Sequence, residues 1–359
     1  MPGIGLHMIV KNEAHVIERC LRSVLPLIDW WVVSDTGSQD GTQEIVRQVL
    51  GDLPGELIER PWISFGHNRQ QALDAARALP ASAPGDYALW IDADEVLTDL
   101  PDAFPELGAD GYYLPVEFAD VHYSRLAMVR LDRPWSWQGA IHEYLDLPAA
   151  RTEHLAAPRY FVRKEGARSL DPDTYRKDAA VIQAELRRTP EDPRLQFYLA
   201  QSWRDAGDDE RALAAYRVRA ENPAGWDQET YCARYEAALC LERLGRPARE
   251  AVEMHLGAYA VAPNRAEALV QAARLERQEG RFAVALLYAR EAARLPHPGG
   301  GALFVDATTY AWRALDELAV NCWWTGHKAE GEVAARQALA ANPTDQRLQA
   351  NLAWFTDHP

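Results

Sequence analysis

Tyr87-Ala-Leu-Trp-Ile-Asp92-Ala-Asp94-Glu95 reads as a hydrophobic strand that stops at two carboxylates one residue apart. In an open α/β sheet, ligands bind beyond the carboxyl ends of the strands, so acids at a strand's last residues face the crevice. Two hard oxygen donors there suit Mg2+ or Mn2+, which keep several waters and also take substrate phosphates. The expected guest is a nucleoside diphosphate. An Asp-x-Asp pair equally suits a capped, solvated turn, and the rest of the N-terminal half separates the two readings.

Ile4 to Val10 alternates loosely and ends at the polar Lys11-Asn12-Glu13, which predicts a first strand and a turn. Ala14 to Leu27 carries apolar residues at helical spacing. Trp30 to Ser34 predicts a second strand, stopping at Asp35-Thr-Gly-Ser-Gln-Asp-Gly-Thr42, after which helical periodicity resumes to Leu50. Strand, helix, strand, helix with polar loops at strand ends is the signature of an α/β sheet.

Met8-Ile-Val-Lys-Asn-Glu13, the Asp35 to Thr42 loop, Phe65-Gly-His-Asn-Arg69 and Trp90-Ile-Asp-Ala-Asp-Glu95 follow one another in the order seen in family 2 glycosyltransferases of the GT-A fold. The resemblance spans residues 1–165 or so. It is closest to a bacterial branch whose transferase domain precedes tetratricopeptide-like helices, a branch that includes peptide S-glycosyltransferases. It implies a Rossmann-like nucleotide-sugar-binding domain, a uridine diphosphate sugar as donor and Mn2+ or Mg2+ as cofactor.

Carried over residue by residue, the resemblance gives Asp94 to the metal and Asp92 to the ribose or metal-bound waters. Glu95 would orient ligands from behind. It makes Asp35 an acceptor for the base or ribose, with Gly37 and Ser38 allowing close backbone approach. Lys11, Asn12 and Glu13 would line the nucleotide pocket. Arg69 precedes an apolar-periodic helix, Gln70 to Leu79, near whose first turn an anion is favoured; the resemblance makes it a diphosphate or sugar contact. Gln70 stands where many relatives carry Asn. In Trp135-Ser-Trp-Gln-Gly-Ala-Ile-His142-Glu143-Tyr144, His142 would contact the metal or the phosphates, and Trp135 and Trp137 serve equally well as a sugar floor or as core aromatics.

An inverting transfer also needs a general base beside the acceptor nucleophile. Glu143 is the first choice, with Glu117 and Asp120, at the end of the strand-like Gly111 to Phe118 run, as competitors. If the segment is extended, His142 and Glu143 point to opposite faces.

Leu155 to Val162 reads as an extended segment finishing the first domain, and Asp171-Pro-Asp173 as a helix start. This places a boundary near residue 170, between a 1–170 transferase domain and a 171–359 helical repeat domain. Beyond it Ala, Leu, Arg and Glu dominate in helical periods. Ala206-Gly-Asp208, Leu244-Gly-Arg246, Glu279-Gly-Arg281 and Thr325-Gly-His327 each precede an apolar helix and then a proline, with successive glycines 38, 35 and 46 residues apart. That approximates the 34-residue tetratricopeptide period, stretched last by Pro296-His-Pro-Gly-Gly-Gly301. Such hairpins must stack to bury their faces, which provides a surface for a peptide acceptor or a second subunit. A final helix, Thr344 to Phe355, would cap the stack.

At 359 residues and 48% hydrophobic content, the chain can bury two ordinary cores. No run of 18 apolar residues appears, and no basic flank leads into an apolar signal segment. The four cysteines, Cys20, Cys232, Cys240 and Cys322, lack metal or disulfide spacing, the pattern of reduced core thiols in a cytoplasmic protein. Net charge is −15, with 15 basic against 25 acidic residues in 1–170 and 23 against 28 in the remainder. That balance ranks a nucleic-acid acceptor, such as a modified DNA base, below a peptide or glycan. Arg159 to Arg188 nonetheless holds eight basic and five acidic residues, a strip suited to an anionic acceptor or to a solvated helix face. Two further classes stay open: a repeat scaffold with an inactive transferase half, and a nucleotidyltransferase. The latter's glycine-rich phosphate loop is missing after the first strand, since Gly3 and Gly5 lie before or within it.

Overall fold

A computed structural model describes residues 2–118, 121–299 and 301–357. The chain divides into two compact units, residues 1–174 and 175–359.

In the first unit the strands are β1 (Ile4–Val10), β2 (Trp30–Asp35), β3 (Gly55–Glu59), β4 (Tyr87–Trp90), β5 (Glu95–Thr98), β6 (Gly111–Phe118), β7 (Val121–Arg130), β8 (Ser136–Gln138), β9 (Tyr144–Asp146), β10 (Thr152–His154) and β11 (Arg159–Val162). Helices α1 (Ile17–Val24), α2 (Thr42–Leu50), α3 (Phe65–Ala78) and the single turn α4 (Ala167–Leu170) accompany them. Among the described residues one mixed sheet runs β3-β2-β1-β4-β7-β6-β11-β5, with β10 beside β6, and β8 and β9 form a small separate ribbon. Strands β3, β2, β1 and β4 are mutually parallel, so their carboxyl ends open on one edge.

Parallel strands covered on both faces need apolar residues on both. Ile4, Leu6, Met8 and Val10 of β1 pack with Ile17, Leu21 and Val24 of α1. On the opposite face Trp30, Val32 and Ala88 pack against Leu73 and Ala76 of α3. Gly5 is required where Trp30 crosses β1, because a Cβ there would lie 2.1 Å from the indole ring. His7 is buried on the α3 side, near Trp137, with both ring nitrogens lacking a hydrogen-bond partner. Burial, then the Arg69 and Arg77 charges, push its pKa down to about 3.

The chain leaves β4 in mid-sheet and reappears as β5 at the far edge, and the Asp92 to Asp94 link lies in that crossing. Ile91 and Ala93 are buried there while Asp92 and Asp94 are half-open, the alternation that turns both acids to one side.

Two expectations are corrected. The third helix begins at Phe65, not Gln70, because the Ser64 side chain accepts the His67 N–H as its cap. Arg69 therefore sits in the second turn, beyond the reach of the helix-terminal dipole. Asp171 ends α4 instead of opening a helix, and the next helix starts at Thr174.

The second unit is a series of helices: α5 (Thr174–Leu186), α6 (Pro193–Asp205), α7 (Asp209–Glu221), α8 (Asp227–Arg243), α9 (Ala248–Val261), α10 (Glu267–Gln278), α11 (Phe282–Arg294), α12 (Ala314–Trp324), α13 (Lys328–Ala341) and α14 (Gln346–Asp357). Gly207, Gly245, Gly280 and Gly326 each join two of them in the left-handed conformation, at φ 73°, 65°, 74° and 77°. In each turn the N–H after the glycine reaches back five residues, as Asp208 to Trp203 and Arg281 to Glu276, satisfying carbonyls the helix end leaves open. The sequence repeat is thus a repeated helix-ending device. Alanines such as Ala200, Ala212, Ala237 and Ala272 are fully buried where helices pack closely. The last helix opens at Gln346, since Asp345 accepts the Arg347 and Leu348 N–H groups. All four cysteines are free and buried. Among the described residues, no helix is long and apolar enough to cross a membrane.

Candidate functional site

The loops after β1, β2 and β4 meet at the carboxyl edge of the sheet. Asn12 stitches two of them: its N–H donates to Ser38 Oγ at 2.9 Å and its Oδ1 accepts the Gln39 N–H at 2.9 Å. Asp40 Oδ2 accepts from Ala14 N, and Thr42 Oγ1 from Glu13 N. Asn12 and Ser38 thus tie the loops after β1 and β2 together, while Lys11 is exposed beside them. Asp35 is 1% exposed; its Oδ1 accepts the Gly37 and Ser38 N–H groups at 2.8 and 2.9 Å. Its Oδ2 is buried without a partner. A buried acceptor without a donor is costly and marks a place for a ligand N–H or O–H. Gly37 holds φ 107°, and a Cβ there would meet nothing within 4 Å, so its freedom is needed for the turn alone.

The acidic end of β4 is organised by two arginines, one buried and one half-buried. Arg69 donates from Nε to Glu143 Oε1 and from its terminal nitrogen to Asp92 Oδ1, both at 2.6 Å. Its guanidinium lies 4.7 Å from the Trp90 ring and 5.2 Å from Trp137. Arg125 pairs with Glu95 at 2.8 Å and stacks 4.1 Å over both Trp90 and Tyr160. Glu95 Oε2 in turn accepts the Asp92 N–H at 3.1 Å, so this carboxylate clamps the loop from behind. Burial raises the pKa of Asp92, but Arg69 and then Arg125 outweigh it and hold the group below the usual carboxylate range.

Asp94 and Glu13 face the opposite balance. Burial, then the Asp92 charge, pushes Asp94 up. Burial pushes Glu13 up to about 7, with Ala167 N–H opposing it and Asp94 adding to it. The strand–α4 connection covers both: Gly166 N–H points at Asp94 Oδ2 at 3.3 Å, and Ala167 N–H at Glu13 Oε2 at 3.0 Å. His15 Nε2 to Glu165 O and Arg19 to Glu165, each 2.7 Å, fasten this strap from outside. Asp92 and Asp94 put two hard oxygen donors at this edge whose mutual repulsion a divalent cation would relieve, the donor type that Mg2+ or Mn2+ takes.

His142 stands apart from that set. Gly139 at φ 88° and His142 at φ 54° turn the chain so that Glu143 reaches inward to Arg69 while His142 is exposed. Among the described residues no three His, Cys, Asp or Glu side chains converge as a metal cluster. Nor is the segment extended there, as β9 begins only at Tyr144. Arg69, expected at a diphosphate, is 5% exposed and engaged by the Asp92 and Glu143 carboxylates. Gln70 fastens the small ribbon, its Oε1 accepting the Trp137 N–H at 2.8 Å. Trp135 and Trp137 are 3% and 7% exposed and belong to the core. Glu117 is paired with Arg159 at 2.7 Å, and Asp120 lies outside the described residues. Sequence reasoning missed Arg125, Trp90 as a stacking surface, and the strap; none carries a local pattern.

Residues 6–145 match the model of the family described as glycosyl transferase family 2. A TPR repeat-containing protein of Synechococcus elongatus is 33% identical over 156 residues, covering 41% of this chain and 36% of its own length. An uncharacterized glycosyltransferase of Rickettsia felis is 33% identical over 98 residues, 27% of this chain and 31% of its own. The aligned stretches thus span about a third of each relative. Among solved structures, MamA from Desulfovibrio magneticus aligns over 46% of this chain and 84% of its own at TM-score 0.37 and 16% identity. The TPR protein TTC0263 of Thermus thermophilus aligns over 51% and 91% at TM-score 0.34 and 18% identity.

Proposed function

We propose that this chain, whose residues 6–145 form a family 2 glycosyl transferase domain followed by tetratricopeptide-like repeats, moves a sugar from a nucleoside diphosphate sugar to an acceptor, with inversion. The donor is a uridine diphosphate sugar, and the acceptor a peptide or glycan presented by the helical repeats, ahead of a nucleic acid. A pairing of two copies through those repeats belongs to the same reading. The observation that carries it is Asp35, whose buried Oδ2 awaits a donor at the same sheet edge as Glu13, Asp92 and Asp94.

Asp35 takes an N–H of the base or an O–H of the ribose. Asp94, with Asp92, would hold Mn2+ or Mg2+, which when bound offsets charge on the departing diphosphate. Glu143, oriented through Oε1 by Arg69, takes the acceptor's proton as the acceptor attacks the anomeric carbon from the face opposite the leaving group. The bond from that carbon to the phosphate oxygen breaks, and the nucleoside diphosphate departs. Asp92, held by Arg69 and by Glu95 through its backbone, keeps the acidic edge in place.

The test is nucleotide-sugar hydrolysis by the full chain over a panel of donors with Mn2+ or Mg2+. Release of one nucleoside diphosphate, abolished in Asp94→Ala, is expected. Release of a sugar phosphate with a nucleoside monophosphate instead would identify nucleotidyl transfer, and absence of both turnover and calorimetric binding would leave a scaffold.

A further inference from the structure

The loop that joins β3 to α3, Arg60 to Ser64, borders the site at both ends. Arg60 N–H donates to the Asp35 carbonyl at 2.9 Å, and Phe65 N–H, just past the loop, donates to Ala140 O at 3.1 Å in the turn that carries Glu143. The first turn of α3 packs directly on that turn, since a Cβ on Gly66 would lie 2.1 Å from Gly139 O and 3.6 Å from the Glu143 Cβ. Arg168, two residues after the Gly166 N–H that points at Asp94, lies 4.8 Å over the Phe65 ring. The loop is thus a lip of the crevice, running from the buried Asp35 to the proposed base.

This lip turns polar backbone groups inward and apolar side chains outward. Asn68, fully buried, accepts the Ile63 and Ser64 N–H groups at 2.9 and 3.3 Å and donates to the Pro61 carbonyl at 3.0 Å. Trp62 and Ile63 are left 40% and 56% exposed, the indole braced edge-on by Phe65 at 4.6 Å. A lone exposed apolar side chain is ordinary on a protein surface. Here two in succession ride on backbone held by one buried amide, so a ligand meets them with little left to order.

The chemistry of the pair limits what it recognises. Phosphate oxygens and sugar hydroxyls require hydrogen-bond partners, which the Ile63 side chain lacks and the Trp62 indole supplies through a single N–H. An apolar side chain needs only contact, and an aromatic ring beside a branched aliphatic one provides it. Two side chains also match one residue of a peptide in size. We propose that Trp62 and Ile63 are the acceptor subsite, taking an apolar side chain of a peptide next to the residue whose nucleophile faces Glu143. The assignment rests on the transferase reading of the site and names its acceptor class.

The test gives the full chain Mn2+, the nucleotide sugar that it hydrolyses, and a heptapeptide library with Ser, Thr or Cys at the centre and random flanks. In such a competition, enrichment of a flank among the modified peptides measures its advantage in kcat/KM. Leu, Ile, Val, Phe and Trp beside the modified residue are expected to be enriched roughly 10-fold over Gly and Ser, the range for burying one apolar side chain. Trp62→Ser combined with Ile63→Ser is expected to erase that enrichment, with the urea midpoint unmoved because both side chains are exposed. Enrichment that survives the double variant, flanks that wild type ignores, or modification of no peptide while the donor is hydrolysed each overturn the assignment. So does weaker UDP binding by calorimetry in the double variant, which would set the pair against the donor. Failure of wild type to hydrolyse any nucleotide sugar is a separate result, in which the transferase reading itself falls and takes this assignment with it.

Discussion

Arg69→Met removes one guanidinium and leaves two carboxylates facing each other. The arginine side chain is 6% exposed, Glu143 is 11% exposed and Asp92 is 38% exposed. Breaking a buried pair by removing one partner costs about 3–5 kcal/mol, because the remaining charge loses its compensation. Glu143 carries most of that; Asp92 is open enough for water to screen it, and contributes about 1 kcal/mol or less. Methionine refills the space between Trp90 and Trp137, so little of the loss is cavity. We expect a destabilisation of about 4 kcal/mol in the first unit. With a urea slope of about 2 kcal/mol/M, the midpoint of that transition falls by about 2 M. Tryptophan fluorescence reports it, since Trp90 and Trp137 flank the substituted side chain. Glu143→Gln in the Arg69→Met background should then recover about 2 kcal/mol, a coupling a double-mutant cycle isolates. A loss under about 1 kcal/mol, or a double variant no more stable than Arg69→Met, would show that Arg69 and Glu143 do not depend on each other for burial.

Two more outcomes follow from buried or strained positions. His7 titrates near 3 when folded and near 6.5 when unfolded, so the unfolded chain takes the proton first as pH falls; the stability it protects is complete above about pH 6.5 and about 2 kcal/mol of it is gone by pH 5. His7→Leu should flatten urea-derived stability across pH 5 to 7 by nearly one proton, and an unchanged slope would contradict a buried neutral imidazole. Gly280→Ala places a side chain at φ 74° with open space around it, so backbone strain alone acts, and the second unit should lose about 1–2 kcal/mol by circular dichroism at 222 nm; equal stability would mean the turn relaxes at no cost.

Local chemistry explains what was readable in advance. Strands β1, β2 and β4 are apolar runs cut off by polar turns, and in a parallel sheet those cut-offs share one edge, so Glu13, Asp35, Asp92 and Asp94 could be grouped before any coordinates. Four left-handed glycines punctuated the helices at a nearly even spacing. Pairings across long separations left no trace: Arg69 and Glu143 are 74 residues apart, Arg125 and Glu95 30 apart. The sequence around Arg69 therefore gave no sign that Asp92 and Glu143 pair with it. The inward turn of Glu143 depends on positive φ at His142, a non-glycine residue that no composition rule marks. The strap was unreadable for a related reason: its work is done by two backbone N–H groups, which every residue but proline possesses.

Cys20 lies fully buried beneath that edge, its Sγ donating to the Asp92 carbonyl at 3.4 Å, while the other three thiols belong to the second unit. Burial pushes its thiol well above the ordinary range, so it is inert to alkylating reagents while covered. The chain thus contains its own chemical clock: the rate at which Cys20 is modified counts how often the Asp92 loop lifts away, and any ligand that fastens that loop must slow it.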